Sequence, residues 1–150
     1  MDTTLIEQFL LSARTKTYAG ATGKSEALLP GAVQYEHVDE KLSYRDTYYL
    51  GNGIFAGLET VFLEGKPVWT MSYFGDFSKM TEEQADGMLR TALQDLWQTT
   101  RMYTVVKKSY PTFEYSCEGD GTFEKVSGTE LIKVAGNVIY NFYYAGGFIG

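Results

Sequence analysis

The chain has 150 residues, 44% of them hydrophobic and 21% charged, which is typical of a soluble globular protein with an ordinary core. Its net charge of −6 argues against binding a nucleic-acid phosphate backbone, and its single cysteine, Cys117, excludes an internal disulfide. We therefore expect a single domain over residues 1–150, in the reducing cytoplasm, with no nucleic-acid partner.

The first segment has the pattern of an amphipathic helix from about Thr4 to Lys16. Thr4 and Glu7 have the spacing of a capping box. Apolar residues then recur at helical spacing, but polar residues interrupt them, so the segment predicts neither a signal peptide nor a membrane span. The following stretch, residues 18–41, is irregular and glycine-rich, with a short strand predicted at Val33–Glu36. A loop of this length is either mobile or a lid, and its His37, the single histidine, is expected to be solvated.

Residues 42–75 predict a three-stranded antiparallel meander. Asn52-Gly53 favours a two-residue type I′ turn because both residues tolerate positive φ. A turn centred there pairs Asp46 with Glu59 across the first two strands. A three-residue loop with Gly65 in the left-handed region then predicts that Glu59 lies opposite Trp69.

Side chains alternate along strands, so this register puts aromatic and acidic residues on one face. That face, expected to look inward, collects the following residues: Leu42, Tyr44, Asp46, Tyr48, Phe55, Glu59, Val61, Trp69, Met71 and Tyr73. Two opposed, buried carboxylates persist when one holds a proton, or when a cation or hydrogen-bond donor lies between them. Alternatively, Asp46 reaches solvent at the sheet edge and Glu59 accepts from tyrosine or tryptophan donors.

A second helix is predicted after the meander. Thr81 and Gln84 form another capping box, and apolar residues at helical spacing extend the helix to about Thr99. Residues 107–111 are interpreted as a connector with two solvated lysines.

The meander recurs, altered, about 71 residues later, over residues 113–146. Gly57, Glu59 and Tyr73 match Gly128, Glu130 and Tyr144 at that offset. Trp69 is replaced by Tyr140 and Asp46 by Cys117, so the second copy avoids the pair of like charges. Its first turn, near Asp120-Gly121, is expected to be longer or irregular.

Together these patterns predict an α+β fold. Two helix-plus-three-stranded meander units would be related by a pseudo-twofold axis, with the helices packed on one face of the sheet. Aromatic walls beside an acid predict a pocket for a flat or cationic small molecule. Its expected lining residues are Tyr44, Asp46, Tyr48, Glu59, Trp69, Tyr73, Glu130 and Tyr140.

The same strands resemble an uncharacterised bacterial domain family whose members occur alone or behind an XRE-type helix-turn-helix regulator. The resemblance rests on three runs of the chain: Tyr44-x-Asp46-x-Tyr48, Phe55-x-Gly57-x-Glu59-x-Val61 and Gly65-Lys66-Pro67-Val68-Trp69-x-Met71-x-Tyr73-x-Gly75. It implies an association with transcription regulators, and no established activity, cofactor or site residue. This chain shows no helix-turn-helix of its own.

Three functions remain open from the sequence. The first is a cytoplasmic small-molecule-binding or sensor domain, and the second is a protein-interaction module whose aromatics are simply core. The third is a hydrolase that uses Asp46 and Glu59 as its acid/base or nucleophile pair. Catalytic motifs and metal-spaced clusters are absent from the sequence, so we lean against an enzyme and expect no cofactor and no metal. The oligomeric state is not determined by these patterns.

Overall fold

The hairpin around Asn52-Gly53 joins two long strands of the sheet. In a computed structural model that describes all residues from Met1 to Gly150, β3 spans Leu42–Gly51 and β4 spans Ile54–Leu63. Asn52 and Gly53 both have positive φ, as the turn requires. Asp46 is paired with Glu59, and Tyr48 with Gly57, so the predicted register of this hairpin is confirmed.

The next hairpin differs from the prediction. Strand β5 spans Lys66–Asp76, and its turn to β4 has only two residues, Glu64 and Gly65. A bulge between Val61 and Phe62 then shifts the register, so Glu59 pairs with Met71 and not with Trp69. The predicted row of Asp46, Glu59 and Trp69 is therefore wrong, because a bulge adds a residue that strict alternation cannot anticipate.

Three later strands repeat these features 71 positions on. They are β7 (Glu114–Thr122), β8 (Lys125–Val134) and β9 (Asn137–Phe148). A bulge between Ile132 and Lys133 and a turn at Ala135-Gly136 match those of the first meander. The first turn of this meander lies at Phe123-Glu124, between paired Thr122 and Lys125, and not at Asp120-Gly121.

The two meanders join edge to edge through β5 and β9, where Tyr73 pairs with its counterpart Tyr144. Further strands extend the sheet at both ends: β1 (Lys24–Ser25), β2 (Val33–Asp39) and β6 (Val105–Ser109). The result is one antiparallel sheet of nine strands in the order β1-β2-β3-β4-β5-β9-β8-β7-β6. The strand predicted at Val33–Glu36 is confirmed and longer, whereas the connector predicted at residues 107–111 is largely strand.

Two helices accompany the sheet. Helix α1 spans Thr3–Thr15 and is capped by the Asp2 side chain, not by Thr4. Helix α2 spans Glu82–Asp95 with the predicted Thr81 capping box, and it ends four residues before the predicted Thr99. Neither helix combines the length and the apolar character that a membrane crossing requires.

The predicted α+β class, with helices packed on duplicated three-stranded meanders, is wrong. The structure is 51% strand and 18% helix, which describes a β-rich fold built on one continuous sheet. Edge strands β1 and β6 were not predicted, because their mostly exposed side chains lack the alternation that marks a half-buried strand, and β2 is longer than predicted. Leu10, Leu89, Trp69 and Tyr140 belong to the same hydrophobic core, so both helices and both meanders share it.

Candidate functional site

Glu59 is buried on the inner face of β4, and a guanidinium neutralises it. Arg14, in the last turn of α1, donates from Nε to Oε1 at 2.9 Å and from Nη2 to Oε2 at 2.8 Å. The Tyr44 hydroxyl donates to Oε1 at 2.7 Å. Burial acts to raise the pKa of Glu59, but the Arg14 charge and these hydrogen bonds hold the pKa below its usual value. Glu59 is therefore a fixed carboxylate with both oxygens occupied.

Glu130 occupies the equivalent position on β8 and has the same kind of partner. Arg101 donates from Nε to Oε2 and from Nη2 to Oε1, both at 2.9 Å. Tyr115 and Tyr140 donate to the same carboxylate. Arg101 also lies 4.1 Å from the Phe142 ring centre, and its backbone φ of +54° is unusual for a residue with a side chain.

Asp46 has no such partner. It is 7% exposed, and the one hydrogen bond to its carboxylate comes from the Tyr73 hydroxyl to Oδ1. The other oxygen, Oδ2, makes no hydrogen bond and keeps some accessible surface. Burial, followed by the nearby Glu59 charge, raises the pKa of Asp46 to about 7. Its carboxyl group therefore changes charge near neutral pH.

A cavity of about 180 Å³ lies next to Asp46, between α2 and the first strands of the sheet. An engineered protein cavity of roughly 150 Å³ is large enough for benzene, so this one accommodates a single small ring. Its aromatic walls are the rings of Tyr18, Tyr35, Tyr48, Phe55, Tyr73 and Phe77. Tyr35 and Tyr48 lie nearly parallel, 12° apart, with ring centres separated by 6.4 Å.

Two of the charged residues of α2 at the cavity, Asp86 and Arg90, are engaged with their neighbours. The Tyr18 hydroxyl donates to Asp86 at 2.6 Å, while Arg90 donates from Nε to the Tyr18 carbonyl at 3.0 Å. The Arg90 guanidinium also lies 4.6 Å from the Tyr18 ring centre. Asp46 is thus the carboxylate of the inner wall that still has an oxygen available. No cluster of three or more His, Cys, Asp or Glu side chains is placed to hold a metal ion.

A family model described as a domain of unknown function, DUF5680, matches residues 46–149. The chain belongs to the DUF5680 family. The matched span includes Asp46, Glu59, Tyr73 and Glu130 and begins after Arg14. Searches of curated proteins and of solved structures give no match to the chain.

The predicted site residues separate into three groups in this chain. Asp46, Tyr48, Glu59 and Tyr73 line the cavity together. Tyr44 lies behind them, bonded to Glu59 and lining a smaller neighbouring space. The remaining three, Trp69, Glu130 and Tyr140, lie elsewhere in the core: the Trp69 ring stacks on Phe123 and its Nε1 donates to the Phe123 carbonyl at 3.0 Å, while Tyr140 bonds Glu130.

Several cavity residues of this chain were not predicted as site residues. Tyr18, Tyr35 and Phe77 supply half of the aromatic wall, and Arg101 reaches the cavity from the turn after α2. Tyr35 gave a usable signal, because the predicted strand at 33–36 contains it. Tyr18 and Arg101 gave no signal in the sequence, because they follow helices in irregular backbone. Hydrophobic periodicity does not predict there which way a side chain points. His37 lies outside this wall, and its ring stacks on Phe9.

Proposed function

We propose that this DUF5680 chain is a small-molecule-binding or sensor domain. Its ligand is flat and about one ring in size, and it presents a hydrogen-bond donor or a positive charge to Asp46. The observation behind the proposal is the Asp46 carboxyl group itself. It lies in an aromatic cavity with Oδ2 unbonded, while Glu59 and Glu130 are each paired with an arginine. Because Oδ2 keeps some accessible surface and has no partner, it can accept a hydrogen bond from a donor placed in the cavity.

The shape and the chemistry of the cavity agree on the class of ligand. Rings on several sides favour a planar molecule or a cation, since an aromatic face attracts both. A volume of about 180 Å³ limits that molecule to roughly one ring with a short polar group. Asp46 at the inner wall fixes which end of the molecule points inward.

Binding can be tested with one-ring probes that share a size but differ in the polar group. Benzylamine, benzamide, benzyl alcohol and benzoate would be compared by thermal shift and by titration calorimetry. We expect the amine or the amide to bind and benzoate to be excluded, because a carboxylate would face Asp46 and Glu59. Tryptophan quenching would report on Trp97, which lines the smaller space beside Asp46, because Trp69 is stacked in the core on Phe123.

Cys117 offers a matched control, because it occupies the position of Asp46 in the second meander. Asp46→Ala is expected to abolish binding, whereas Cys117→Ala is expected to leave it unchanged. Equal binding by the wild type and by Asp46→Ala would contradict the proposal, as would the failure of every probe to bind.

The resemblance to regulator-linked domains suggests a setting for this activity. We propose a bacterial, cytoplasmic sensor that reports ligand binding to a helix-turn-helix regulator. The acidic net charge of −6 supports the idea that DNA contact belongs to a different domain or chain.

A protein-interaction module is the second candidate, and the outer face of the sheet favours it. Phe74 and Tyr143 are paired across β5 and β9 and are 43% and 53% exposed. Leu58 and Tyr49 are also exposed on the neighbouring strands. Sedimentation of the wild type against Phe74→Ser would show whether this face associates. The hydrolase alternative gains no support, because Arg14 and Tyr44 occupy both oxygens of Glu59.

A further inference from the structure

The second meander contains a filled counterpart of the Asp46 cavity. There the backbone of the turn after α2 lies against the sheet: the Arg101 N–H donates to Cys117 Sγ at 3.4 Å. The Tyr144 hydroxyl donates to the Met102 carbonyl at 2.6 Å and contacts Cys117 Sγ at 3.3 Å. Cys117 and Tyr144 are the counterparts of Asp46 and Tyr73. Peptide N–H and C=O groups therefore occupy, in this half, the place that is open beside Asp46.

The first half lacks this occupant because its connection is longer. Left-handed residues follow both helices, Ala21 after α1 and Arg101 after α2, and they are 80 positions apart. The strands that follow are only 71 apart, so the first connection is nine residues longer and carries β1. The residue after Ala21, Thr22, is exposed, while the one after Arg101, Met102, is buried.

The strand positions beneath differ accordingly. Gly119 lies under the covering segment, and a Cβ added there would be 1.9 Å from the Met102 carbonyl oxygen. The matching position in the first meander is Tyr48, whose ring lines the open cavity. One half of the molecule is thus built to be covered by its own backbone and the other to remain open.

We propose that the ligand of the Asp46 cavity is a neutral aromatic carboxamide. Its N–H donates a hydrogen bond to Asp46 Oδ2, and its carbonyl oxygen accepts a hydrogen bond from the Tyr73 hydroxyl. This inference rests on the proposed function and names its ligand class. The template is the pair of peptide groups at Arg101 and Met102, which present one donor and one acceptor to Cys117 and Tyr144.

Every hydrogen has a place in the resulting ring of hydrogen bonds. With Asp46 protonated on Oδ1, its O–H donates to the Tyr73 oxygen, and the Tyr73 O–H donates to the ligand carbonyl. The ligand N–H then donates to Oδ2. In the second half, the neutral Cys117 thiol can donate to Tyr144, which donates to Met102, in the same order. An ionised Asp46 would break the ring, because the Tyr73 O–H would then donate to Asp46 Oδ1 and would not be available to the ligand carbonyl.

The charged and polar groups around Asp46 set the pH at which its carboxyl group loses its proton. Glu59 on β4 disfavours the charged form, while Tyr73 on β5, Arg14 on α1 and Arg101 after α2 favour it. The other charged or titratable groups of the cavity lie on neighbouring elements: Tyr18, Lys24, Tyr35, Tyr48, Glu82, Asp86 and Arg90. Burial and Glu59 prevail and raise the pKa of Asp46 to about 7, so both protonation states are accessible to experiment.

The pH dependence of binding separates an amide from a cation. Benzamide affinity for the full chain should fall about tenfold between pH 6 and pH 8, as the protonated fraction of Asp46 falls. At pH 8, benzamide binding should also be accompanied by proton uptake at Asp46. Calorimetry in buffers of different ionisation enthalpy measures this uptake. Benzylamine would show the opposite slope. If benzylamine binds and benzamide does not, the binding function stands and the carboxamide class is wrong; if neither binds, both are wrong.

Two substitutions provide an independent test. Asp46→Asn reproduces the protonated carboxyl group, since its amide can donate to Tyr73 and its carbonyl can accept from the ligand. We expect this variant to bind benzamide within about threefold of the wild type at pH 6 and to lose the pH dependence. Tyr73→Phe should weaken benzamide binding at least tenfold, whereas Tyr144→Phe, its counterpart in the filled half, should not. Loss of benzamide binding in Asp46→Asn with unchanged binding in Tyr73→Phe would overturn the proposal.

Discussion

At the scale of single residues, the inner face of the sheet holds three carboxyl groups with different surroundings. Glu59 and Glu130 each accept two hydrogen bonds from one arginine. Asp46 accepts from Tyr73 alone. Removing the negative member of a buried ion pair strands the positive one, which is costly unless another acid is close by. Asp46 lies close to both arginines and so gives this relief to each, but it also repels Glu59, whereas the matching neighbour of Glu130 is the neutral thiol of Cys117.

We therefore predict unequal costs for the same substitution in the two halves. At pH 8, Glu130→Gln should lower the free energy of unfolding by about 3–5 kcal/mol, because Arg101 loses its buried counter-charge. Glu59→Gln should cost at least about 1 kcal/mol less, because it also removes the repulsion between Glu59 and ionised Asp46, which has no equivalent beside Glu130. Urea denaturation of both variants measures the difference. In an Asp46→Asn background the Glu59→Gln substitution should lose this advantage, and equal costs for the two single variants would contradict the role of Asp46.

Strand alternation was sufficient to place Asp46, Glu59 and Glu130 inside, where all three are buried. It could not supply their partners. Arg14 is 45 residues from Glu59, at the end of a helix, and Arg101 is 29 residues from Glu130, in a turn. Such pairings depend on where helices end relative to the sheet, which no local periodicity encodes. This is why the sequence predicted the two opposed acids and the need for a proton, cation or donor between them, but did not name an arginine as the partner of Glu59.

At the scale of elements, local signals placed one turn, one cap and the register of the first hairpin, but they missed other turns, the cap of α1 and the bulges. The Asn52-Gly53 turn and the Thr81 capping box both lie where expected. The second hairpin was misplaced because the bulge at Val61/Phe62 leaves no mark in the hydrophobic pattern. Strand β6 was interpreted as a connector because an exposed edge strand of Val105–Ser109 lacks alternation. The first error concerns how strands meet, and the second concerns whether a strand exists.

The start of α1 gives a prediction that separates two candidate caps. The Asp2 carboxylate accepts from the Thr4 and Leu5 backbone N–H groups at 3.1 and 3.2 Å. Asp2→Ala should therefore lower the free energy of unfolding by about 1 kcal/mol, the usual cost of losing an N-cap. Thr4→Ala, at the position first expected to be the cap, should change it by less than about 0.5 kcal/mol. Thermal and urea unfolding of the two variants measure the contrast, and the reverse order would place the cap at Thr4.

At the scale of the whole molecule, the two halves share strand pairing, bulges and turns but differ in what covers their inner faces. The turn after α2 returns at once to the sheet and buries Met102, whereas nine further residues carry the first half outward through β1. The insertion could be counted in the sequence, since the helices and the strands repeat at different offsets. Its consequence, one open cavity and one filled one, required coordinates.

The filled half depends on a glycine, which leads to a last prediction. In Gly119→Ala the new Cβ would lie 1.9 Å from the Met102 carbonyl oxygen, so the covering segment or the strand must move. We expect unfolding to become easier by about 1–3 kcal/mol, as overpacking usually costs, and the Cys117 thiol to become reactive toward a thiol reagent under native conditions.

The matched control is Gly87→Ala, because nothing lies within 4 Å of a Cβ added on α2. That variant should be more stable by about 0.5–1 kcal/mol and should keep Cys117 protected. If Gly119→Ala is destabilised while Cys117 remains unreactive, the strand has yielded and not the segment. The backbone at Met102 would then be fixed in place by the rest of the fold. Its contacts with Cys117 and Tyr144 could no longer serve as a model for the contacts of a ligand with Asp46 and Tyr73.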